Sequence, residues 1–175
     1  KNRYIFQPLN QGTMAKSGID YHLRYRWPVN LGRVWVGLEG TYNLKSNRST
    51  YPGQTPISNL GNYDTATGSV TARNLLRFTS SLEARDFGLT ANVNYHSGNN
   101  EVMQALIDSQ GYAAGTDYIH RVPAHWTLDV AGVYRFTPAF SMRMHITNLT
   151  NRIPPVRYQS PYLGSSLADT RYDDY

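Results

Sequence analysis

Between residues 19 and 27 apolar and polar side chains alternate one for one. Ile19, Tyr21, Leu23, Tyr25 and Trp27 fall in one register, and Asp20, His22, Arg24 and Arg26 in the other. Side chains of an extended chain point to opposite faces with period two, so the segment predicts a strand with one aromatic and aliphatic face and one charged face. The design returns five more times. Val34, Val36, Leu38, Gly40 and Tyr42 oppose Trp35, Glu39, Thr41 and Asn43; Leu76, Phe78, Leu82 and Ala84 oppose Arg73, Arg77, Thr79, Glu83 and Arg85. Phe87, Leu89, Ala91, Val93 and Tyr95 stand against Thr90, Asn92, Asn94 and His96, and Trp126, Leu128, Val130, Gly132 and Tyr134 against His125, Thr127, Asp129 and Arg135. Phe140, Met142, Met144 and Ile146 against Ser141, Arg143, His145 and Thr147 complete the set.

The connections between these segments alternate in length. About 28 residues separate the second and third, about 26 the fourth and fifth, and about 24 follow the sixth, while the links near residues 28–33, 85–87 and 137–139 are tight turns, an alternation far from the usual short loops. Short turns at one end, long loops at the other, and strands apolar on one face and polar on the other are the pattern of a transmembrane β-barrel in a bacterial outer membrane. The segments have the roughly 9 to 11 residues that a tilted strand needs to cross a bilayer. The expected fold class is therefore all-β, an antiparallel transmembrane barrel segment of six to seven strands. Residues 45–72, 97–122 and 152–175 should lie at one end of a sheet of sequential antiparallel neighbours. Leu38, Phe78, Val93, Val130 and Met144 should face outward, and Glu39, Thr79, Asn92, Asp129 and Arg143 inward.

Composition fits this class. A mean hydropathy of −0.52 and the lack of any run of about 18 apolar residues exclude a membrane helix, but a barrel dilutes its apolar signal with a polar lumen and solvated loops. Fourteen tyrosines and three tryptophans suit interfacial girdles, where rings with an apolar body and polar tip are favoured. The formal charge of +5 comes without a Lys/Arg-rich run, so nucleic acid is not an expected partner. Basic residues of the polar rows are expected to pair with Asp20, Glu39, Glu83 and Asp129. No enzyme is expected either. His125 and Asp129 on one strand are about 13 Å apart, beyond hydrogen-bond reach, and neither a nucleophile elbow nor a zinc-binding helix is present. No cofactor and no metal is implied. A weak helical period in Val102, Leu106 and Ile107 suggests a short helix or folded tip over residues 99–110.

Residues 125–136, a turn, and residues 142–155 resemble the C-terminal region of TonB-dependent outer-membrane receptors. That family has a strand carrying an aspartate and a Tyr-x-Phe ending, then a strand closing on Asn-Leu-x-(Asn/Asp)-x-x-Pro-Pro. Asn148, Leu149, Asn151, Pro154 and Pro155 fill the pattern. Asn10-Gln11-Gly12 with Ser17-Gly18-Ile19-Asp20 is similar to the family's re-entry into the barrel, and Tyr172-Asp173 to the pair before its last strand. The resemblance implies that residues 1–175 are the C-terminal part of a 22-stranded barrel lacking its final strand and plug domain. It further implies a cell outer-membrane receptor that captures a scarce solute and imports it actively. The implied partners are the remainder of the barrel and its plug, the TonB–ExbB–ExbD energy-coupling complex acting through the plug, and outer-membrane lipid.

Physical chemistry gives the motif a structural role: amides at 148–151 can bond backbone groups freed where the strand leaves the sheet, and Pro154-Pro155 stop further pairing. Solute contacts are expected from loop rings and tips, namely Tyr112, Tyr118, His120, Tyr158 and Tyr162. Unpaired terminal strands would leave this chain unable to stand alone in lipid. A passive porin, or another outer-membrane barrel without TonB coupling, is the alternative. A soluble β-sandwich is disfavoured, because its outer faces should be polar.

Overall fold

The computed structural model describes residues 12–49, 51–63, 70–102 and 119–155. Among them are β1 (Thr13–Val29), β2 (Gly32–Ser49), β3 (Ile57–Ser58), β4 (Asn74–Ala84), β5 (Phe87–His96), β6 (Asn99–Val102), β7 (Ile119–Val122), β8 (His125–Thr137) and β9 (Phe140–Ile146). The protein is all-β. Six long strands form one sheet in the order β1-β2-β4-β5-β8-β9, with β3 added beside β2. Every pair within it is antiparallel. Turns at residues 30–31, 85–86 and 138–139 join the strands at one end, and the long connections leave from the other.

The register aligns the alternation across the sheet. One row runs Leu23–Leu38–Phe78–Val93–Leu128, and the next Tyr25–Val36–Ser80–Ala91–Val130–Ile146. On the opposite face His22, Glu39, Arg77, Asn94 and Thr127 are successive partners. A slip of one residue would send every apolar side chain to the polar face, so six concordant strands fix the register strongly. Gly40 has a particular reason to lack a side chain. A Cβ there would run into the Leu75 carbonyl oxygen and the ring of Tyr21, which lies across the glycine and donates its hydroxyl to Asn74 Oδ1 at 3.4 Å.

No apolar side chain of the six long strands is buried among the described residues: Leu23 is 64 % and Met144 59 % exposed. The buried apolar residues, Leu60, Tyr63, Ala72 and Val122, all lie in the long connections. There the segment after β3 packs with the β6–β7 hairpin, and Asn59, Asn99 and Glu101 are buried beside them. Backbone bonds from Asn59 to Ser46, Thr71 to Asn59, Tyr63 to Asn100 and Asn100 to Gly61 tie this layer to itself and to β2. Two isolated parallel bridges, Leu60 with Thr71 and Asn62 with Asn100, belong to the layer and not to the sheet.

Three sequence expectations are corrected. The loops at this end are packed against each other instead of simply solvated, since Leu60, Tyr63 and Val122 give them apolar groups to bury. Residues 99–102 form a strand and not a helical turn, because each pairs with residues 119–122; residues 103–110 lie outside the described residues. Finally, β1 and β2 run further than the alternation, pairing out to Thr13 and Ser49 across a bulge at Ser17/Gly18. A bulge inserts one residue and shifts the phase of the side chains, so the alternation ends there while the ladder continues.

Candidate functional site

The polar face of the sheet carries nearly all of its chemistry, and its side chains form hydrogen-bonded rows. Nearest the loop end, Thr41 Oγ1 donates to Asp20 Oδ1 at 2.6 Å. The next row is continuous from β2 to the turn after β9. Glu39 meets Arg77 at 3.8 Å, Arg77 Nε donates to Asn94 Oδ1 at 2.8 Å, and Asn94 Nδ2 donates to Asp129 Oδ2 at 2.8 Å. Asp129 Oδ1 then accepts the backbone N–H of Asn148 at 2.8 Å. Thr79 with Asn92 and Ser81 with Thr90 follow, at 2.8 and 2.9 Å. Side chains in such a chain restrict one another's rotamers, most of all at Asn94 and Asp129, which are bonded on both sides.

Toward the turn end the face changes sign. The Arg24 guanidinium lies 4.0 Å from the centre of the Trp35 ring, and Trp35 Nε1 donates to Glu83 Oε1 at 3.2 Å. Arg33, Glu83, Gly88, Val133 and Arg143 are then successive partners across four strand spacings, placing Arg33 and Arg143 about 19 Å apart at the usual strand separation. Between them Ser81, Gly88, Thr90 and Ala131 make a floor of small residues in an open concavity of about 830 Å³. Arg26, Arg33 and Arg143 make no hydrogen bond or ion pair among the described residues. The concavity, lined by Arg33, Arg135 and Arg143 together with Glu83, is thus an arginine-rimmed cradle with a net basic rim.

The expected pairing of Asp20, Glu39, Glu83 and Asp129 with basic residues is only partly realised. Glu39 alone meets an arginine, while Asp20, Glu83 and Asp129 bond to Thr41, Trp35 and amide groups. Cross-strand neighbours decide this. Asp20 stands opposite Thr41, and Asp129 beside Asn92 and Asn94, so shorter polar groups reach the carboxylates.

Around residues 148–155 the motif acts on the backbone. Asn148 and Asn151 both have a φ of 48°, in the left-handed region that asparagine tolerates best after glycine. Asn148 Nδ2 donates to the Arg152 carbonyl at 2.9 Å and its Oδ1 accepts the Arg152 N–H at 3.0 Å. Leu149 N–H bonds to the Leu128 carbonyl and Asn151 N–H to that of Asn148. Pro154 and Pro155 are half-buried beyond the last hydrogen bond of the turn. The side chain of Asn148 therefore satisfies backbone groups freed at the strand exit, as expected, but its anchoring by Asp129 and its hold on Arg152 need the tertiary register to be seen.

Tyr112, Tyr118, Tyr158 and Tyr162, expected to touch solute, lie outside the described residues, as does Tyr172-Asp173. Of His120 only the backbone is described, opposite Glu101 in the β6–β7 hairpin. Sequence reasoning passed over Asn94, the hub of the polar row, and Trp35, the bridge between Arg24 and Glu83. Both sit on the predicted polar rows, and only the register shows what they meet. No family model matches this chain, and neither any curated protein nor any solved structure does.

Proposed function

We propose that this chain is wall and surface loop of an outer-membrane TonB-dependent receptor, which captures a scarce solute at the cell surface and imports it with energy from the TonB–ExbB–ExbD complex. The observation that carries the membrane part is the uncovered apolar face. It has aliphatic side chains in its middle rows, with Tyr21, Tyr95 and Trp126 sharing one row toward the loop end. Toward the turn end, Tyr25 stacks with Trp27 and Tyr134, Phe136 and Phe140 cluster. Trp126 and Phe136 are about ten residues apart, the length a tilted strand needs across hydrocarbon. A soluble protein would not leave so large an apolar face open, and lipid would cover it without a second layer.

The receptor part rests on the resemblance of residues 125–155 and on a division of labour that suits transport. The packed loop layer would present a shaped surface to the outside. The hydrogen-bonded polar face would line the lumen, and the arginine-rimmed cradle would lie at the periplasmic mouth. The strand number of 22, the plug and the closing strand belong to this proposal. A passive porin would use the same wall, since a continuous polar face also suits a water-filled channel.

The chain contains no cysteine, so single probes can be placed at will. Fluorophores on Val93→Cys and Asn92→Cys, in the full-length protein in bilayers, should respond oppositely: brominated acyl chains quench the first and aqueous iodide the second. Equal response to both quenchers would refute the wall assignment. Coupling is tested separately in cells. Where a solute limits growth, loss of this protein on top of loss of TonB should add no defect, whereas a porin would still contribute without TonB.

A further inference from the structure

Arg152 is held at three points. Both of its backbone polar groups are bonded by the side chain of Asn148, whose own N–H is anchored on Asp129. Its guanidinium lies over the Trp126 ring, 4.3 Å from the centroid. Trp126 belongs to the apolar face, in register with Tyr95 and on the same row as Tyr21. Two asparagines in the left-handed region are the local strain that this positioning tolerates. The outcome is an exposed cation held over a ring at the loop-end rim of the apolar face.

Among the described residues that cation has no acidic partner: the Arg152 side chain makes no ion pair with a carboxylate. Its guanidinium stacks on the ring, and its charge also bears on the buried His125. Asp129 of β8, which anchors the turn, already spends both oxygens on Asn94 and Asn148. A guanidinium presents five N–H donors in a planar fork that matches phosphate oxygens bidentately. It is also weakly hydrated, which favours it over lysine in a partly dry setting. Aromatic rows of membrane proteins sit at the depth of the lipid head groups, so the ring beneath Arg152 sets the fork among phosphates.

We propose that Arg152, positioned by Asn148 and stacked on Trp126, binds the phosphate of an anionic lipid head group at the outer edge of the sheet. The proposal rests on the reading of the apolar face as lipid-facing. In its favour, Arg152 is exposed, while the backbone and ring contacts remove the freedom that a surface arginine normally loses on binding. Lipid phosphate and free phosphate share this chemistry, and the anchoring of the site at the apolar rim favours the lipid.

The test uses the full-length protein in neutral detergent, titrated with dioleoyl phosphatidic acid, dioleoyl phosphatidylcholine or inorganic phosphate and followed by native mass spectrometry. The wild type should retain phosphatidic acid in preference to phosphatidylcholine, and Arg152→Gln should need roughly tenfold more phosphatidic acid for the same occupancy. Asn148→Ala keeps the cation but frees it, and should lose part of that preference. Equal retention of the two lipids by the wild type, or an unchanged preference in Arg152→Gln, overturns the proposal. Inorganic phosphate that displaces the lipid at equal concentration reassigns the site to a free anion and overturns the lipid assignment. If a probe at Val93 is still quenched by brominated chains while the Arg152 preference is absent, this inference alone falls. If that probe is not quenched, the membrane reading falls first.

Discussion

The sheet and the loop layer above it solve the burial problem in opposite ways. In the loop layer, Leu60, Tyr63, Ala72 and Val122 are covered by protein, and the polar groups among them bond to one another. In the sheet, rows of Leu, Val, Phe and Met stay open on one face, and hydrogen bonds concentrate on the other. The layer thus carries its own hydrophobic stabilisation, whereas that of the sheet depends on what lies against it. Changes on the apolar face should be felt through the surroundings, and changes in the layer should be felt locally.

The sharpest contrast is between neighbouring faces of one strand. An arginine at Val130, in the middle of the apolar rows, should cost about 2–4 kcal/mol of folding stability in lipid if the site lies at the midplane. At Thr127, on the polar row beside Asn94, the same change should cost less than about 1 kcal/mol, because the guanidinium stays in water. Folding titrations into phosphatidylcholine vesicles measure both. Similar penalties at the two positions would erase the distinction between the faces and with it the membrane reading.

Within the loop layer, Val122→Ala removes buried methyl groups at a site that is 3 % exposed. The expected loss is about 1–2 kcal/mol, extrapolated from larger core truncations. It should appear as faster amide exchange over residues 59–63 and 99–102, with unaltered protection in β4 and β5. Exchange that rises throughout the sheet would show that layer and wall unfold together. Asn148→Ala tests the seam between the two regions. Losing both bonds to Arg152, on an exposed turn, should cost about 1 kcal/mol, and glycine at that position should recover part of it, since it accepts the left-handed backbone without strain.

How much of this was legible in the sequence follows from where the information sits. Alternation specified the faces along β4 and β5, and along β8 and β9 up to the register shift between Arg135 and Thr137, because a two-residue period needs no knowledge of neighbours. It failed beyond Gly18 and Asn43, where the bulge shifts phase while pairing continues, and in the loop layer, where contacts join residues as distant as Asn62 and Asn100. The same limit hid the site. Asn94, Asp129 and Trp35 could be placed on the polar face one at a time, but the links Arg77–Asn94–Asp129–Asn148 and Arg24–Trp35–Glu83 exist only once the register sets which side chains are opposite. Arg152 carried no sequence signal at all, since its position follows from an asparagine four residues earlier and a tryptophan on another strand.

The smallest effect concerns the polar face itself, where an ion pair and an amide hub can be set against each other. Glu39 and Arg77 approach to 3.8 Å with both side chains about half exposed, at 52 % and 55 %. Solvent screens such a pair, so a double-mutant cycle of Glu39→Gln with Arg77→Met should give a coupling of about 0.2–1 kcal/mol. That coupling should shrink as salt rises above about 0.15 M. Asn94→Ala cuts bonds to Arg77, Thr127 and Asp129 together, and its cost should exceed the coupling of the ion pair while remaining insensitive to salt. A salt-dependent loss at Asn94, or a larger one at Glu39, would mean that long-range charge, and not the hydrogen-bonded row, organises this face.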